Sequence, residues 1–247
     1  MSLYFEELDY LPTPIGALSL RRRRELSLGV DIFEIKLGDE YLMSSLFTAS
    51  EIALARLGLP ELSGANLDVV VGGLGLGYTA QAVLEHEAVK SLVIIEVLDA
   101  VINWHEKGVL PLGPALTADP RSRFVLGDFF ALAASKNGFD PNTPARRFNV
   151  ILVDIDHSPD LLLDPQNAAF YQPTGLRRLA AHLLPSGVFA LWSNELPDEA
   201  FTQRLTAVFA EARAERVTFH NPLQNREFTQ TIYLARTEAA PELHEAE

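Results

Sequence analysis

The stretch that decides the fold spans residues 67–96 and reads LDVVVGGLGLGYTAQAVLEHEAVKSLVIIE. It opens with the apolar run Leu67–Val71, which is typical of a strand buried on both faces of a parallel sheet. Tyr78–Glu87 is predicted to form a helix, and Leu92–Val97 is predicted to form a second buried strand. Strand, glycine-rich turn, helix and strand in this order predict a βαβ unit that binds a nucleotide or nucleoside.

The turn of this unit is unusually rich in glycine. Four glycines crowd into six positions: Gly72, Gly73, Gly75 and Gly77. Glycine at this density lets the backbone turn sharply and lets a ligand approach the main chain, although it also serves close packing of a strand on a helix. Glu96 ends the next strand, about 20 residues further on, where an acid can accept hydrogen bonds from both ribose hydroxyls. The combination predicts a nucleoside site.

Composition narrows the class of protein. The 247 residues, 48% of them hydrophobic, are enough for a large core, and the chain has no cysteine for disulfides, thiolate metal ligands or nucleophiles. The net charge of −13 argues against nucleic acid as a partner. The run Arg21–Arg24 is interpreted as protective charge on an exposed edge strand. With no apolar run of about 18 residues and no signal pattern, we expect a cytoplasmic protein with a small-molecule substrate and no membrane partner.

From residue 67 onward, predicted strands and helices alternate. Further strands are predicted at Arg123–Leu126, Asn149–Asp154 and Val188–Trp192, and further helices at Asp99–Glu106, Phe129–Ala134, Thr174–Leu184 and Asp198–Ala212. The last two strands, Arg216–Asn221 and Phe228–Arg236, have no long helix between them and should pair antiparallel. Five βα units with a terminal hairpin predict an open α/β sheet that is mostly parallel with an antiparallel last strand.

The first 58 residues have a different pattern. Leu18–Arg22, Asp31–Lys36 and Glu40–Met43 alternate apolar and polar residues and predict two to four strands of a small antiparallel sheet. Ser50–Leu57 is predicted to form a helix. The chain is therefore expected to comprise an N-terminal sheet and helix (1–58), a Rossmann-like nucleoside-binding domain (59–236) and a frayed acidic tail (237–247).

Polar residues follow the predicted strands, at the sheet edge where ligands bind. Asp128 can accept a hydrogen bond from an amine such as that of adenine, or it can cap the next helix. Asp154 can position an ammonium or accept a proton from an attacking amine, or it can cap backbone amides of its turn. Asp156 and His157 are equally consistent with a site and with a turn. Three such residues within one turn seldom converge on one ion, so no metal is predicted.

On these residues the chain resembles the spermidine synthase (polyamine aminopropyltransferase) family, within the S-adenosylmethionine-dependent methyltransferase folds. VVVGGLGLG is similar to the family's glycine loop, IIEV with Glu96 to its ribose-binding acid, and LGDFF with Asp128 to its adenine-contacting stretch. ILVDIDHSP, with Asp154 as the leading aspartate, resembles its catalytic loop. Phe170-Tyr171 followed by LLPSGVFALW resembles a further family stretch.

The resemblance implies a Rossmann-like class I methyltransferase fold behind a small antiparallel sheet, and a homodimer. It implies a donor, S-adenosylmethionine or its decarboxylated form, from which an aminopropyl or related group passes to an amine such as a polyamine. Asp154 would be catalytic, and Asp156, His157 and Tyr171 would shape the acceptor pocket. The alternatives are a methyltransferase with a small acceptor and a nucleoside-binding protein without catalysis.

The chain also departs from the family pattern. Gly75 stands where the family has an aspartate that holds the amine of the donor, and His157 stands at the second catalytic aspartate. In the first helix the family has a Tyr-His-Glu stretch that lines the amine site. Ala49 and Ser50 replace its first two residues, and only the Glu is retained, as Glu51. These departures favour the two alternatives over a true spermidine synthase.

Overall fold

The computed structural model describes residues 4–13, 16–62 and 64–240. The chain begins with a four-stranded sheet whose strands pair antiparallel in chain order. These strands are β1 (Phe5–Thr13), β2 (Gly16–Glu25), β3 (Val30–Leu37) and β4 (Glu40–Ser44). The predicted small antiparallel sheet is confirmed. Of the tail predicted at 237–247, residues 241–247 lie outside the described residues.

A seven-stranded sheet forms the rest of the fold, in the order β10-β11-β9-β8-β5-β6-β7. Its strands are β5 (Leu67–Gly72), β6 (Val89–Glu96), β7 (Ser122–Leu126), β8 (Phe148–Val153), β9 (Leu183–Ser193), β10 (Glu211–Asn221) and β11 (Arg226–Arg236). The five strands from β9 to β7 pair in parallel, and β11 is antiparallel to both of its neighbours. The predicted mostly parallel sheet with an antiparallel last strand is confirmed.

Helices cover both faces of this sheet. They are α1 (Ala49–Gly58), α2 (Tyr78–Leu84), α3 (Asp99–Glu106), α4 (Gly113–Ala118), α5 (Phe129–Ala134), α6 (Pro173–Ala180) and α7 (Glu199–Thr206), with a 3₁₀ helix at Pro165–Ala169. Along β5, Val69 and Val71 pack with helices α1 to α4, while Val70 packs with α5 to α7. Alternate residues of a strand point to opposite faces, so this all-apolar strand serves two cores. None of the described helices is long and apolar enough to cross a membrane.

The interpretation of Arg21–Arg24 as an edge strand is wrong, because β2 lies between β1 and β3. The arginines instead balance carboxylates on the neighbouring strands. Arg22 contacts Glu6 at 2.7 Å and Arg23 contacts Glu34 at 2.8 Å. Opposite charges on paired strands stabilise a sheet modestly, so the run serves the sheet itself.

Several segments differ from their predicted boundaries. The helix predicted at Thr174–Leu184 ends at Ala180, and β9 begins at Leu183, ahead of the predicted Val188. The helix predicted at Asp198–Ala212 ends at Thr206, and β10 begins at Glu211, ahead of the predicted Arg216. Alanine favours a helix by local propensity, but Ala212 and Ala214 pack against the sheet core from a strand. Tertiary packing therefore overrides local propensity here. Helix α4 was not predicted from the sequence.

Candidate functional site

A cavity of about 400 Å³ lies where strands β5 to β8 end, covered by the N-terminal sheet and helix α1. Its volume is in the range of small-molecule sites. The large sheet contributes Gly73, Glu96 and Asp154, and the N-terminal segment contributes Met43 and Glu51. Both parts of the chain are therefore needed to enclose a ligand.

The glycine loop between β5 and α2 is held in a conformation that side chains at two positions would oppose. Gly73 and Gly75 line the cavity with positive φ angles of 94° and 46°. A Cβ atom at Gly73 would overlap the carbonyl oxygen of Asp154. Gly72 and Gly77 lie behind the cavity, where they pack against neighbouring side chains. The glycines of this loop therefore allow its backbone to lie directly against the end of β8.

Met43 from β4 lies directly on the glycine loop. A Cβ atom at Gly75 would overlap the Met43 sulfur, and this sulfur accepts a hydrogen bond from Leu76 N at 2.8 Å. On the far side of the loop, His105 Nε2 donates to the Gly75 carbonyl at 2.8 Å. Burial lowers the pKa of His105, which keeps the ring neutral. An apolar thioether therefore occupies the space next to Gly75.

Glu96 joins the glycine loop to the end of β6. Its Oε2 accepts from Leu74 N at 3.0 Å and its Oε1 accepts from Leu98 N at 2.9 Å. Burial raises the pKa of Glu96, and these backbone N–H donors act in the opposite direction. The backbone N–H groups of Gly75 and Val97 also lower the pKa of this carboxyl group, so four backbone groups converge on it.

Asp128 caps helix α5 and also lines the cavity. Its Oδ1 accepts from Phe130 N at 2.9 Å and from Ala131 N at 3.2 Å. Both bonds use the same carboxylate oxygen. The capping role and a role toward a ligand are therefore compatible.

Asp154 and Glu51 form a pair of carboxyl groups in the cavity wall. Asp154 follows β8, its backbone N donates to Gly72 O at 2.9 Å, and its Oδ2 accepts from Thr79 Oγ1 at 2.7 Å. Burial raises the pKa of Asp154 to about 6. Burial and then the charge of Asp154 raise the pKa of Glu51 to about 8. Acids with raised pKa values in a cleft are typical of functional sites.

Glu51 was not among the predicted site residues, although the family resemblance marks it as the one retained residue of a stretch that lines the amine site. It lies on the buried face of α1 together with Ser50, Leu54, Ala55 and Gly58. The sequence signal for a site residue here is a glutamate on the helix face that otherwise carries small and apolar residues. Buried positions of this kind seldom hold a charged side chain unless it has a partner or a function.

The charged side chains that line the cavity are predominantly acidic. Among the described residues, none of those that line the cavity is Lys or Arg. Its acidic lining residues are Glu51, Glu96, Asp128, Asp154 and Asp164. A cavity of this kind favours a cationic ligand.

The other three predicted catalytic residues lie in different places. His157 lines the cavity, with Nε2 4.0 Å from Glu40 Oε2 at the rim. Asp156 and Tyr171 are 2% and 1% exposed and do not line it. Asp156 accepts from Tyr171 OH at 2.7 Å and from Leu163 N at 2.8 Å. This buried bond shapes the loop after β8, so the two residues are placed to support the cavity wall.

We expect the carboxyl pair to make stability depend on pH. A carboxyl group whose pKa is raised by folding is most favourable below its unfolded value and loses that advantage as pH rises through its folded value. The free energy of unfolding should therefore fall from about pH 4, the ordinary pKa range of these carboxyl groups, to about pH 8, the raised pKa of Glu51. Glu51→Gln should flatten this fall, as measured by urea unfolding at several pH values. An identical slope in both proteins would contradict this expectation.

Comparison with known proteins supports the fold. No protein-family model matches the sequence. One similar solved structure is a spermidine synthase in complex with the transition state analogue AdoDATO, with a TM-score of 0.71 and 18% identity, covering 95% of this chain and 75% of that chain. Another is the spermidine synthase from Thermotoga maritima, with a TM-score of 0.66 and 19% identity, covering 95% and 74%. The resemblance expected from the sequence is confirmed at the level of structure, and the chain has the fold of the spermidine synthases.

Proposed function

We propose that the protein is a transferase that binds a sulfonium derivative of adenosine and transfers an aminopropyl or related group from it to an amine. The donor would be S-adenosylmethionine or its decarboxylated form. The observation that carries the proposal is the Glu51–Asp154 pair beside the glycine loop, in a cavity whose described lining has no Lys or Arg. A sulfonium donor and an ammonium-bearing acceptor are both cations, and paired carboxyl groups suit both.

The nucleoside half of the proposal rests on the rim formed by β5, β6 and β7. Gly73 and Gly75 of the glycine loop, Glu96 and Asp128 all line the cavity, which supports a role for Glu96 toward the ribose and for Asp128 toward the adenine amine. Apolar side chains, among them Phe130 and Val101, also line the cavity and suit an adenine ring.

The chemical step needs orientation and one proton acceptor. The amine nitrogen attacks the carbon next to the sulfonium. The C–N bond forms as the C–S bond breaks, and the bonding pair returns to sulfur to leave a neutral thioether. The amine loses a proton, which Asp154 accepts, and the cavity aligns the two reactants.

Binding and turnover assays test the proposal. Calorimetry should detect binding of methylthioadenosine, of S-adenosylmethionine or of its decarboxylated form, and binding should raise the melting temperature by mass action. Mass spectrometry of mixtures with a panel of amines should then detect the alkylated product. The homodimer implied by the resemblance belongs to the same proposal, and light scattering tests it. A protein that binds none of the three nucleosides would contradict the proposal.

Methyl transfer from S-adenosylmethionine is the second candidate. Met43 fills the space beside Gly75, so the loop offers no carboxylate at that position to hold the amine of an aminopropyl tail. This contact favours a donor that is anchored elsewhere and transfers its methyl group. The same product assay separates the two, because a methyl and an aminopropyl group differ in mass.

We expect Glu96→Ala to weaken methylthioadenosine binding by about 1–3 kcal/mol, because two ribose hydroxyls lose their buried acceptor. Calorimetry measures the change. Glu195→Ala is the matched control, because Glu195 is an exposed acid beyond the end of β9 that does not line the cavity. An unchanged dissociation constant in Glu96→Ala would refute the ribose assignment.

A further inference from the structure

One peptide group of the glycine loop is held at both ends by side chains. The carbonyl oxygen of Gly75 accepts from His105 Nε2 at 2.8 Å. The N–H of the same peptide belongs to Leu76 and donates to Met43 Sδ at 2.8 Å. Most backbone groups pair with other backbone groups, so side-chain partners at both ends of one peptide call for an explanation.

The two side chains approach the peptide from opposite sides. Met43 lines the cavity and follows a register shift between β3 and β4, and bulges of this kind redirect side chains. His105 lies in the last turn of α3, is completely buried and does not line the cavity. Its ring packs beside Gly77, where a Cβ atom would lie 3.0 Å from His105 Cε1. The loop is therefore fixed between the N-terminal sheet and α3.

The hydrogen on the His105 ring can be assigned from its partner. A backbone carbonyl oxygen can only accept, so Nε2 must carry the hydrogen that reaches Gly75. Turning the ring over would place a carbon atom there and lose the bond. Nδ1 is buried without a hydrogen-bond partner within the described part of the chain, and burial lowers the pKa of His105. The ring is therefore neutral and donates through Nε2.

The fixed peptide lies next to the amides that bind Glu96. The N–H of Gly75 acts on the Glu96 carboxyl group and lowers its pKa, and Leu74 N donates to Glu96 Oε2 at 3.0 Å. Gly75 has a φ of 46°, and glycine offers little resistance to backbone rotation. Without partners for the Gly75–Leu76 peptide, the direction of the Gly75 N–H would be set by a residue that rotates freely.

We infer that His105 and Met43 are positioning residues that hold the Gly75–Leu76 peptide between them and so keep the Gly75 amide on Glu96. Neither takes a proton in the reaction. The benefit to a nucleoside rests on the proposed function, because Glu96 is the residue proposed for the ribose. The fixation of the loop itself requires no ligand.

Amide hydrogen exchange tests the fixation without a ligand. His105→Met removes the donor and introduces an unbranched side chain that adapts to irregular space. Leu76 N–H, at the other end of the peptide, should then exchange about tenfold faster or more. His182→Met is the matched control, because His182 is also buried and its Nε2 lies 3.1 Å from the Ala133 carbonyl oxygen, before the start of β9 and away from the glycine loop. Unchanged Leu76 exchange in His105→Met, or equal acceleration in both variants, would overturn the inference.

Met43→Leu tests the other anchor of the peptide. Leucine has nearly the volume of methionine but lacks the sulfur acceptor. Leu76 N–H should again exchange about tenfold faster or more, because it loses its only partner in the contact described above. Exchange at the wild-type rate in this variant would overturn the role of Met43.

Nucleoside binding tests the consequence for Glu96. Calorimetry with methylthioadenosine should give His105→Met a dissociation constant about tenfold or more above that of the wild type. His105→Gln should stay within about threefold of the wild type, because its amide nitrogen lies as many bonds from Cβ as histidine Nε2 and can donate to Gly75. His182→Met should bind as the wild type does, even where it lowers the free energy of unfolding.

The two measurements separate the possible failures. Equal affinities of His105→Met and His105→Gln, with methylthioadenosine bound by the wild type, would overturn the inference alone. A wild type that does not bind methylthioadenosine would remove the proposed function and the role of the loop toward a nucleoside. Exchange of the Leu76 amide would still decide in that case whether His105 and Met43 fix the peptide.

Discussion

Asp154→Asn is expected to slow group transfer by roughly two to four orders of magnitude, the usual contribution of a positioned general base. Asparagine has nearly the same size and can accept the hydrogen bond from Thr79 through its side-chain oxygen. It cannot take a proton from the attacking amine. Calorimetry should therefore show normal binding of methylthioadenosine, and single-turnover kinetics should show that the chemical step is slow.

Asp164→Asn is the matched control for this loss. Asp164 also lines the cavity, and its Oδ1 accepts from Gln166 N at 2.9 Å in a cap that asparagine can also form. Both variants remove one negative charge from the cavity. If Asp154 acts only through charge, the two variants should slow transfer alike. If it is the proton acceptor, Asp154→Asn should be far slower, and full activity of Asp154→Asn would contradict the assignment.

The part of the site that could be predicted from the sequence is the part built by local structure. A buried parallel strand places whatever follows it at one edge of the sheet, so Glu96, Asp128 and Asp154 could be assigned to that edge from their position after an apolar run. The glycine loop follows from the same rule.

The part that could not be predicted depends on contacts between distant segments. Met43 meets Gly75, and Glu51 meets Asp154, only after the N-terminal sheet has folded over the end of the large sheet. The direction of a side chain in an irregular loop is equally non-local. Asp156 turns inward because Tyr171 and the Leu163 amide offer it hydrogen bonds, whereas His157 in the same loop faces the cavity.

Gly73→Ala should have the largest effect on stability, because a methyl group there meets the backbone of Asp154 at the end of β8. The residue has a φ of 94°, and its Cβ would overlap the Asp154 carbonyl oxygen. Gly73 N also donates to Ile95 O at 2.9 Å, so the loop cannot shift without loss of a buried bond. Left-handed strain and overpacking together should lower the free energy of unfolding by about 2–5 kcal/mol. Urea unfolding measures this change.

Gly29→Ala separates the two causes, because Gly29 also has a positive φ, of 67°, but a Cβ there meets nothing within 4 Å. Gly29→Ala should lower the free energy of unfolding by the backbone strain alone, about 1–2 kcal/mol. Gly73→Ala should in addition weaken methylthioadenosine binding and displace Asp154, whereas Gly29→Ala should do neither. Equal losses of stability in the two variants, with nucleoside binding retained in both, would mean that the glycine loop does not need its close contact with the end of β8. Because that contact joins the glycine loop to Asp154, the proposed alignment of donor and proton acceptor requires a residue without a side chain at position 73.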